Sequence, residues 1–258
     1  MQIGIGNLSV VPLRAADSHR SEMVNEVLFA EPFEIIEENK EWARVRLIEV
    51  DYEGWLQQGQ FERLSPNQYD SLFSDGTSPI DLSGGIAYWE DKPVELLPGG
   101  KIPHLLLRES AGAFPCRIKA NIRVAVQTDF QQEWPKLMAY YQNSPYLWGG
   151  RTRYGIDCSG LSQAIYAHFG VALPRDAYQQ AEGGRVVDDL STIQPGDLAF
   201  FENESGRITH VGIMMDAQTI FHASAYVRSD RMDTRGILHQ GHYTHKLSFV
   251  KRFLTTAS

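Results

Sequence analysis

Residues 146–170 read YLWGGRTRYGIDCSGLSQAIYAHFG, and this stretch decides the fold of the C-terminal half. A loop holding Gly149 and Gly150 leads to Asp157-Cys158-Ser159-Gly160. From the cysteine onward the pattern turns helical, with Leu161, Ile165 and Phe169 at helical spacing and Gly170 as a stop. A cysteine at a helix start meets unpaired backbone N–H groups and the positive end of the helix dipole, which favour a thiolate. The same N–H groups can hold the oxyanion that forms when a carbonyl is attacked. An ordinary thiol is mostly protonated at neutral pH, so a nucleophilic cysteine needs this help.

Downstream, DLAFF (197–201) and THVGIMM (209–215) read as strands, and TIFHAS (219–224) returns after a turn at Asp216. Upstream, DFQQEWPKLMAYYQN (129–143) reads as a helix that ends before Pro145. A helix followed by antiparallel strands is an α+β pattern. The hairpin sets His210 beside His222. His210 then suits a general base for the thiol, with His222 accepting a hydrogen bond from its other ring nitrogen. A lone histidine on a strand is more often structural, but a helix-start cysteine with two paired histidines is what thiol catalysis requires. His19, His104, His168, His239, His242 and His245 receive no role. The last three lie in HQGHYTH (239–245), which matches no common zinc spacing and reads as a solvated loop. No metal or organic cofactor is expected.

Toward the N-terminus, FEIIEE (33–38), WARVRLIEV (42–50) and GWLQQGQF (54–61) alternate apolar and polar residues, as half-buried strands do. They predict a small β-barrel over 1–66. SPNQYDSLFSDGTSPIDLSGG (65–85) reads as linker and loop. GIAYW (85–89), PVELLPGGKI (93–102) and RIKANIRVAV (117–126) predict a second small β domain over 67–127, ahead of an α+β domain at 128–258.

Composition narrows the function. The 258 residues are 43% hydrophobic and 22% charged, with net charge −8. That acidity lacks the basic field of a nucleic-acid binder and disfavours anionic wall polymers and lipid surfaces. No apolar run reaches the ~18 residues of a membrane helix. The opening MQIGIGNLSVVPLRAADSHR lacks a basic start followed by an apolar run, so a cytoplasmic location is expected. Of the two cysteines, Cys116 reads as a buried small hydrophobe.

YLWGG, DCSGL, PRDAYQQ, QPGDLAFF, RITHVGIMM and FHAS resemble, in order, the landmarks of the NlpC/P60 family of papain-like peptidoglycan peptidases. The segment from Pro12 through SEMV (21–24) to DYEGW (51–55) resembles a bacterial SH3-like domain. Together they are similar to γ-D-glutamyl-L-diamino-acid endopeptidases, which carry two SH3-like domains ahead of the catalytic one and act on free muropeptides. The resemblance implies Cys158 as nucleophile, His210 as base, His222 as its orienting partner, and Tyr146 near the oxyanion. It places Asp157, Ser159 and Asp176 around the amine of a peptide with a free N-terminal L-Ala, and assigns Glu22 and Tyr52 to closing that end of the cleft. Ala177 stands where the family leads one to expect a serine, which removes one amine contact. Plainer readings exist for Asp157 and Asp176 as helix caps, for Glu22 as a strand-edge charge and for Tyr52 as a turn aromatic. The partner so implied is a small peptide, with no nucleic acid or membrane. Competing functions are a secreted wall hydrolase that anchors through its SH3-like domains, a binding module, and an acyl transferase.

Overall fold

The computed structural model describes residues 2–108, 114, 116–122 and 130–254. The chain divides into two compact units. One comprises Met1–Ala125, Trp148–Gly150 and Gly170–Ala172; the other comprises Val126–Leu147, Arg151–Phe169 and Leu173–Ser258.

The first unit opens with β1 (Gln2–Gly6), β2 (Val10–Arg14), β3 (Met23–Leu28), β4 (Pro32–Glu38), β5 (Trp42–Leu47), β6 (Tyr52–Gln57) and β7 (Phe61–Leu64). They form one sheet in the order β3-β2-β6-β5-β4-β1-β7, with every pairing antiparallel. The alternation read from the sequence puts Phe33, Val45, Leu47, Leu56 and Phe61 into one core, which Val11 and Leu13 of β2 join. Arg46, on the opposite side of β5 from Val45 and Leu47, pairs with Glu53 at 2.9 Å.

The presumed linker at 65–85 holds ordered elements instead. Ser65 caps α1 (Pro66–Phe73), Pro66 occupies the first turn, and the box is reciprocal: Ser65 Oγ accepts from Gln68 N–H at 3.3 Å, while Gln68 Oε1 accepts from Ser65 N–H at 2.9 Å. A serine-proline start with glutamine at the third helical position was the available signal. Then come β8 (Thr77–Trp89), β9 (Lys92–Leu96), β10 (Lys101–Pro103) and β11 (Cys116–Ile122). β8 is the hub: β9, β10 and β11 all pair with it. Ile3, Ile5 and Leu64 of the first sheet share a core with Leu72, Ile80, Leu96, Ile102 and Cys116, which makes both sheets parts of one unit. The expected boundary at 127–128 lies outside the described residues.

The second unit contains α2 (Phe130–Tyr141), the short pair β12 (Arg151–Thr152) and β13 (Gly155–Ile156), α3 (Cys158–His168) and α4 (Ala177–Gln180). There follow β14 (Arg185–Val186), β15 (Leu198–Glu202), β16 (Ile208–Met214), β17 (Thr219–Ser224), β18 (Tyr226–Asp233), β19 (Gly236–His239) and β20 (His242–Arg252). The sheet order is β14-β20-β15-β16-β17-β18-β19, and β20 also pairs with β19. That extra pairing closes β15 to β20 into a ring. Ala199 and Phe201 of β15 enter the core on one face, while Leu198 and Phe200, opposite by alternation, are also buried. The helix α3 packs against β16 and β17, giving an α+β architecture.

The HQGHYTH stretch is a hairpin, not a solvated loop. Gln240 and Gly241 both take positive φ (48° and 85°), as a two-residue turn matched to strand twist requires. Among the described residues, no helix is long and apolar enough to cross a membrane.

Candidate active site

The nucleophile's position follows from local chemistry. β13 delivers the chain to Asp157, whose extended backbone (φ −95°, ψ 178°) makes it the N-cap of α3. Its Oδ1 accepts from Gly160 N–H at 2.7 Å, and Cys158 is the first helical residue. Burial pushes the Cys158 thiol up to about 12, and the Asp157 charge adds to this; the backbone N–H groups of Val211 and Ser159 pull it down. At 6% exposure, loss of hydration works against the thiolate that the helix start favours, while the N–H groups of Val211 and Ser159 work for it.

His210 lies on β16 immediately before Val211, so the strand that offers an N–H to Cys158 also presents the imidazole. His210 Nε2 is 2.9 Å from His222 Nδ1, and His222 Nε2 is 3.0 Å from Asp230 Oδ2. Arg228 Nε donates to the same Oδ2 at 2.8 Å, while His239 Nδ1 lies 2.8 Å from Asp230 Oδ1. His245 stacks on His210, with ring centroids 4.1 Å apart and planes 28° off parallel. Space here is tight: a methyl group at Gly212 would fall 2.6 Å from Ile220 Cδ1 and 2.9 Å from His222 Cβ.

Burial, followed by the neighbouring His245, His222 and Arg228, holds His210 well below its usual range. Burial likewise lowers His222, against the pull of Asp230, and lowers His245 to about 4. These groups are neutral in the fold and take protons once unfolded. The stability present above the ordinary imidazole value of 6.5 is thus lost as pH falls toward the folded values, about 4 for His245. Tm measured across that range is expected to drop progressively from near 6.5 downward, and a flat Tm down to pH about 5 would contradict it.

Tyr146 is half-buried, its N–H bound to Ala225 C=O at 3.0 Å. Burial, with Cys158 and Asp157 nearby, raises its hydroxyl above the usual phenol range, so it remains a hydrogen-bond donor close to the thiol. Asp157 is engaged within the protein. Arg175 Nη2 donates to its Oδ2 at 2.5 Å and Nη1 to its Oδ1 at 3.1 Å, and Ser159 Oγ accepts from Nη1 at 2.9 Å. Asp176 is the N-cap of α4, in a capping box with Gln179; it is partly exposed, and among the described residues no ion pair engages it. Burial and then Asp157 raise its carboxyl, with Arg175 and Arg207 opposing.

The structure thus brings Cys158, Tyr146, His210, His222, Asp157, Ser159 and Asp176 together within one unit. Glu22 and Tyr52 belong to the other. Glu22 is exposed, its C=O accepting from Ala15 N–H at 2.9 Å; Tyr52 opens β6 and packs on the first sheet's core. Sequence reasoning missed Arg175, Arg228, Asp230, His239 and His245. Arg228 and Asp230 did carry a signal, as charges two apart and hence on the same face of a strand as the apolar Met232. Among the described residues, no group of three or more His, Cys, Asp or Glu is arranged to hold a metal ion.

Comparison with known proteins agrees with this architecture. Residues 143–248 match the NlpC/P60 family, and residues 13–61 match the bacterial dipeptidyl-peptidase SH3 domain. A γ-D-glutamyl-L-lysine dipeptidyl-peptidase of Bacillus subtilis (strain 168) is 30% identical over 218 residues, covering 77% of this chain and 71% of that protein. The probable endopeptidase NlpC of Escherichia coli (strain K12) is 41% identical over 86 residues, 33% of this chain and 55% of its own. The crystal structure of an NlpC/P60 family protein from Bacillus cereus ATCC 10987 superimposes with a TM-score of 0.78 at 19% identity, covering 98% of this chain and 100% of that one. With an SH3-like region followed by the Cys158 helix and the His210 sheet, the chain belongs to the NlpC/P60 family.

Proposed function

We propose that the chain is a cysteine peptidase that hydrolyses the bond between γ-D-glutamate and a diamino acid in peptides released from peptidoglycan. What carries the reading is Cys158 at the start of α3, bound by the N–H of Val211, the residue that follows His210. His210 takes the thiol proton, and the sulfur attacks the γ-carbonyl. The sulfur–carbon bond forms as the carbonyl becomes an oxyanion, for which Tyr146 and helix N–H groups are donors. His210 returns the proton to the departing amine, and water then releases the acyl group by the reverse route.

Similarity to the γ-D-glutamyl-L-lysine dipeptidyl-peptidase of Bacillus subtilis supports a γ-D-glutamyl substrate. Selection for a free N-terminal L-Ala rests on Asp176, a partly buried carboxylate that no ion pair engages among the described residues and that an ammonium would satisfy. The contributions of Asp157, Ser159, Glu22 and Tyr52 to that selection, and a cytoplasmic place in recycling wall peptides, belong to the same proposal and rest on the family resemblance.

The test is hydrolysis of L-Ala-γ-D-Glu-meso-diaminopimelate, of its lysine counterpart, and of the N-acetylated forms, read by mass spectrometry. Cleavage of free peptides, with N-acetylation costing at least about 100-fold in kcat/KM, is expected if a buried ammonium is paired with Asp176. Equal cleavage of free and acetylated forms would overturn the amine reading. No cleavage of any would overturn the peptidase.

A further inference from the structure

We propose that Asp230 is a positioning residue: acting through His222, it sets which nitrogen of His210 carries the proton. This role rests on the reading of Cys158 and His210 given above. A carboxylate only accepts hydrogen bonds. Asp230 Oδ2 lies 3.0 Å from His222 Nε2, so that nitrogen is the N–H donor. A neutral His222 then has its lone pair on Nδ1. The 2.9 Å bond between the two rings is therefore donated by His210 Nε2. A neutral His210 protonated on Nε2 carries its lone pair on Nδ1, ready for the thiol proton.

Burial alone would raise the Asp230 carboxyl, but hydrogen bonds from His222, His239 and Arg228 hold it well below the usual carboxylate range. The Arg228 guanidinium, which can only donate, makes Oδ2 an acceptor. Arg228 adds direction. Its Nε–H, 2.8 Å from Oδ2, demands an oxygen at the position that His222 also uses, and its guanidinium is itself fixed by Ser224 C=O. His239 holds the other oxygen and is 27% exposed, so the chain of bonds from His210 reaches toward the surface there.

This polarity separates two substitutions that a purely electrostatic role would not. In Asp230→Asn, Arg228 keeps the amide oxygen facing His222, and His239 can turn its ring to accept from the amide nitrogen. The His222 and His210 protons stay where they are. In Asp230→Ala, His222 Nε2 faces only the Arg228 donor and becomes an acceptor. Its proton moves to Nδ1, His210 Nε2 must accept it, and the lone pair on His210 Nδ1 is lost. For the Ala variant, kcat on the γ-glutamyl tripeptide is expected to fall on the order of 10²–10⁴-fold, with KM within about threefold, as befits a wrong base tautomer. The Asn variant should retain within about tenfold of wild-type kcat. Equal losses in both would overturn the tautomer role, as would full activity in Ala.

Histidine ¹⁵N shifts of the wild-type protein provide a reading independent of variant folding and of turnover. Protonation of both His210 and His222 on Nε2 is expected, and a proton on Nδ1 of His210 would overturn the proposal. A wild-type protein with these tautomers that cleaves no γ-glutamyl peptide would sink the peptidase reading while leaving the Asp230 assignment standing.

Discussion

Replacement of Cys158 by alanine is expected to abolish hydrolysis of the γ-glutamyl tripeptide, with a loss in kcat on the order of 10⁴-fold or more. Every other group at the site acts on the sulfur or on what the sulfur makes. His210 takes its proton, and Tyr146 and the helix N–H groups serve an oxyanion that exists only after it attacks. Cys158→Ser is expected to be nearly as inactive, because a buried hydroxyl is far harder to deprotonate than a thiol that burial already pushes to about 12. Neither change should disturb folding much, since a methyl or hydroxyl fits the same small space. Tm within a few degrees of wild type and unchanged peptide affinity would complete the result. Residual turnover above about one per cent in Cys158→Ala would move the nucleophile elsewhere.

The second large effect concerns stability. Arg175→Met is expected to cost about 3–5 kcal/mol, because it leaves the Asp157 carboxylate inside the protein with its cation gone. Asp157 is 3% exposed and Arg175 1%, so water cannot replace the guanidinium without local opening. Thermal unfolding should reveal a fall in Tm of roughly 10 °C or more. Activity should fall with it, since the same carboxylate caps α3 through Gly160 N–H and thereby sets Cys158. Adding Asp157→Asn to Arg175→Met removes the orphaned charge and should recover part of the loss. If Arg175→Met melts within about 2 °C of wild type, the pair contributes little and the carboxylate finds hydration by another route.

These two residues also mark what a reading of the sequence reaches. Cys158, with its helix and the acid before it, was legible because neighbours in sequence create the N-cap geometry. His210 and His222 were legible because a short hairpin joins them. Arg175 was not, since nothing local in PRDAYQQ reveals that its side chain turns back to Asp157. The strands of the first sheet are legible in the period-two alternation of FEIIEE and WARVRL, whereas α1 hides in a stretch rich in Ser, Pro and Gly despite its Ser65–Gln68 cap. Burial decided the rest. The helix start foretold a thiolate, but how deeply Cys158 sits depends on β16, which no local pattern encodes. HQGHYTH failed for a similar reason: Gln240-Gly241 is a weaker hairpin signal than Asn-Gly, and the neighbours of His239 and His245 lie on strands distant in sequence.

The ring of β15 to β20 also bears on how the chain acquires its activity. Most of its pairings join consecutive strands, which local hairpins form on the microsecond scale. The exception is β15 with β20, a contact that Glu202 and Ser248 make across 46 residues of sequence. Within the ring, this closure carries the largest loop entropy and is expected to form late, slowing folding. During synthesis, β20 is also the last described strand to emerge. A nascent chain therefore holds its thiol before His245 has stacked on His210, and its chemistry matures only with the final stitch of the sheet.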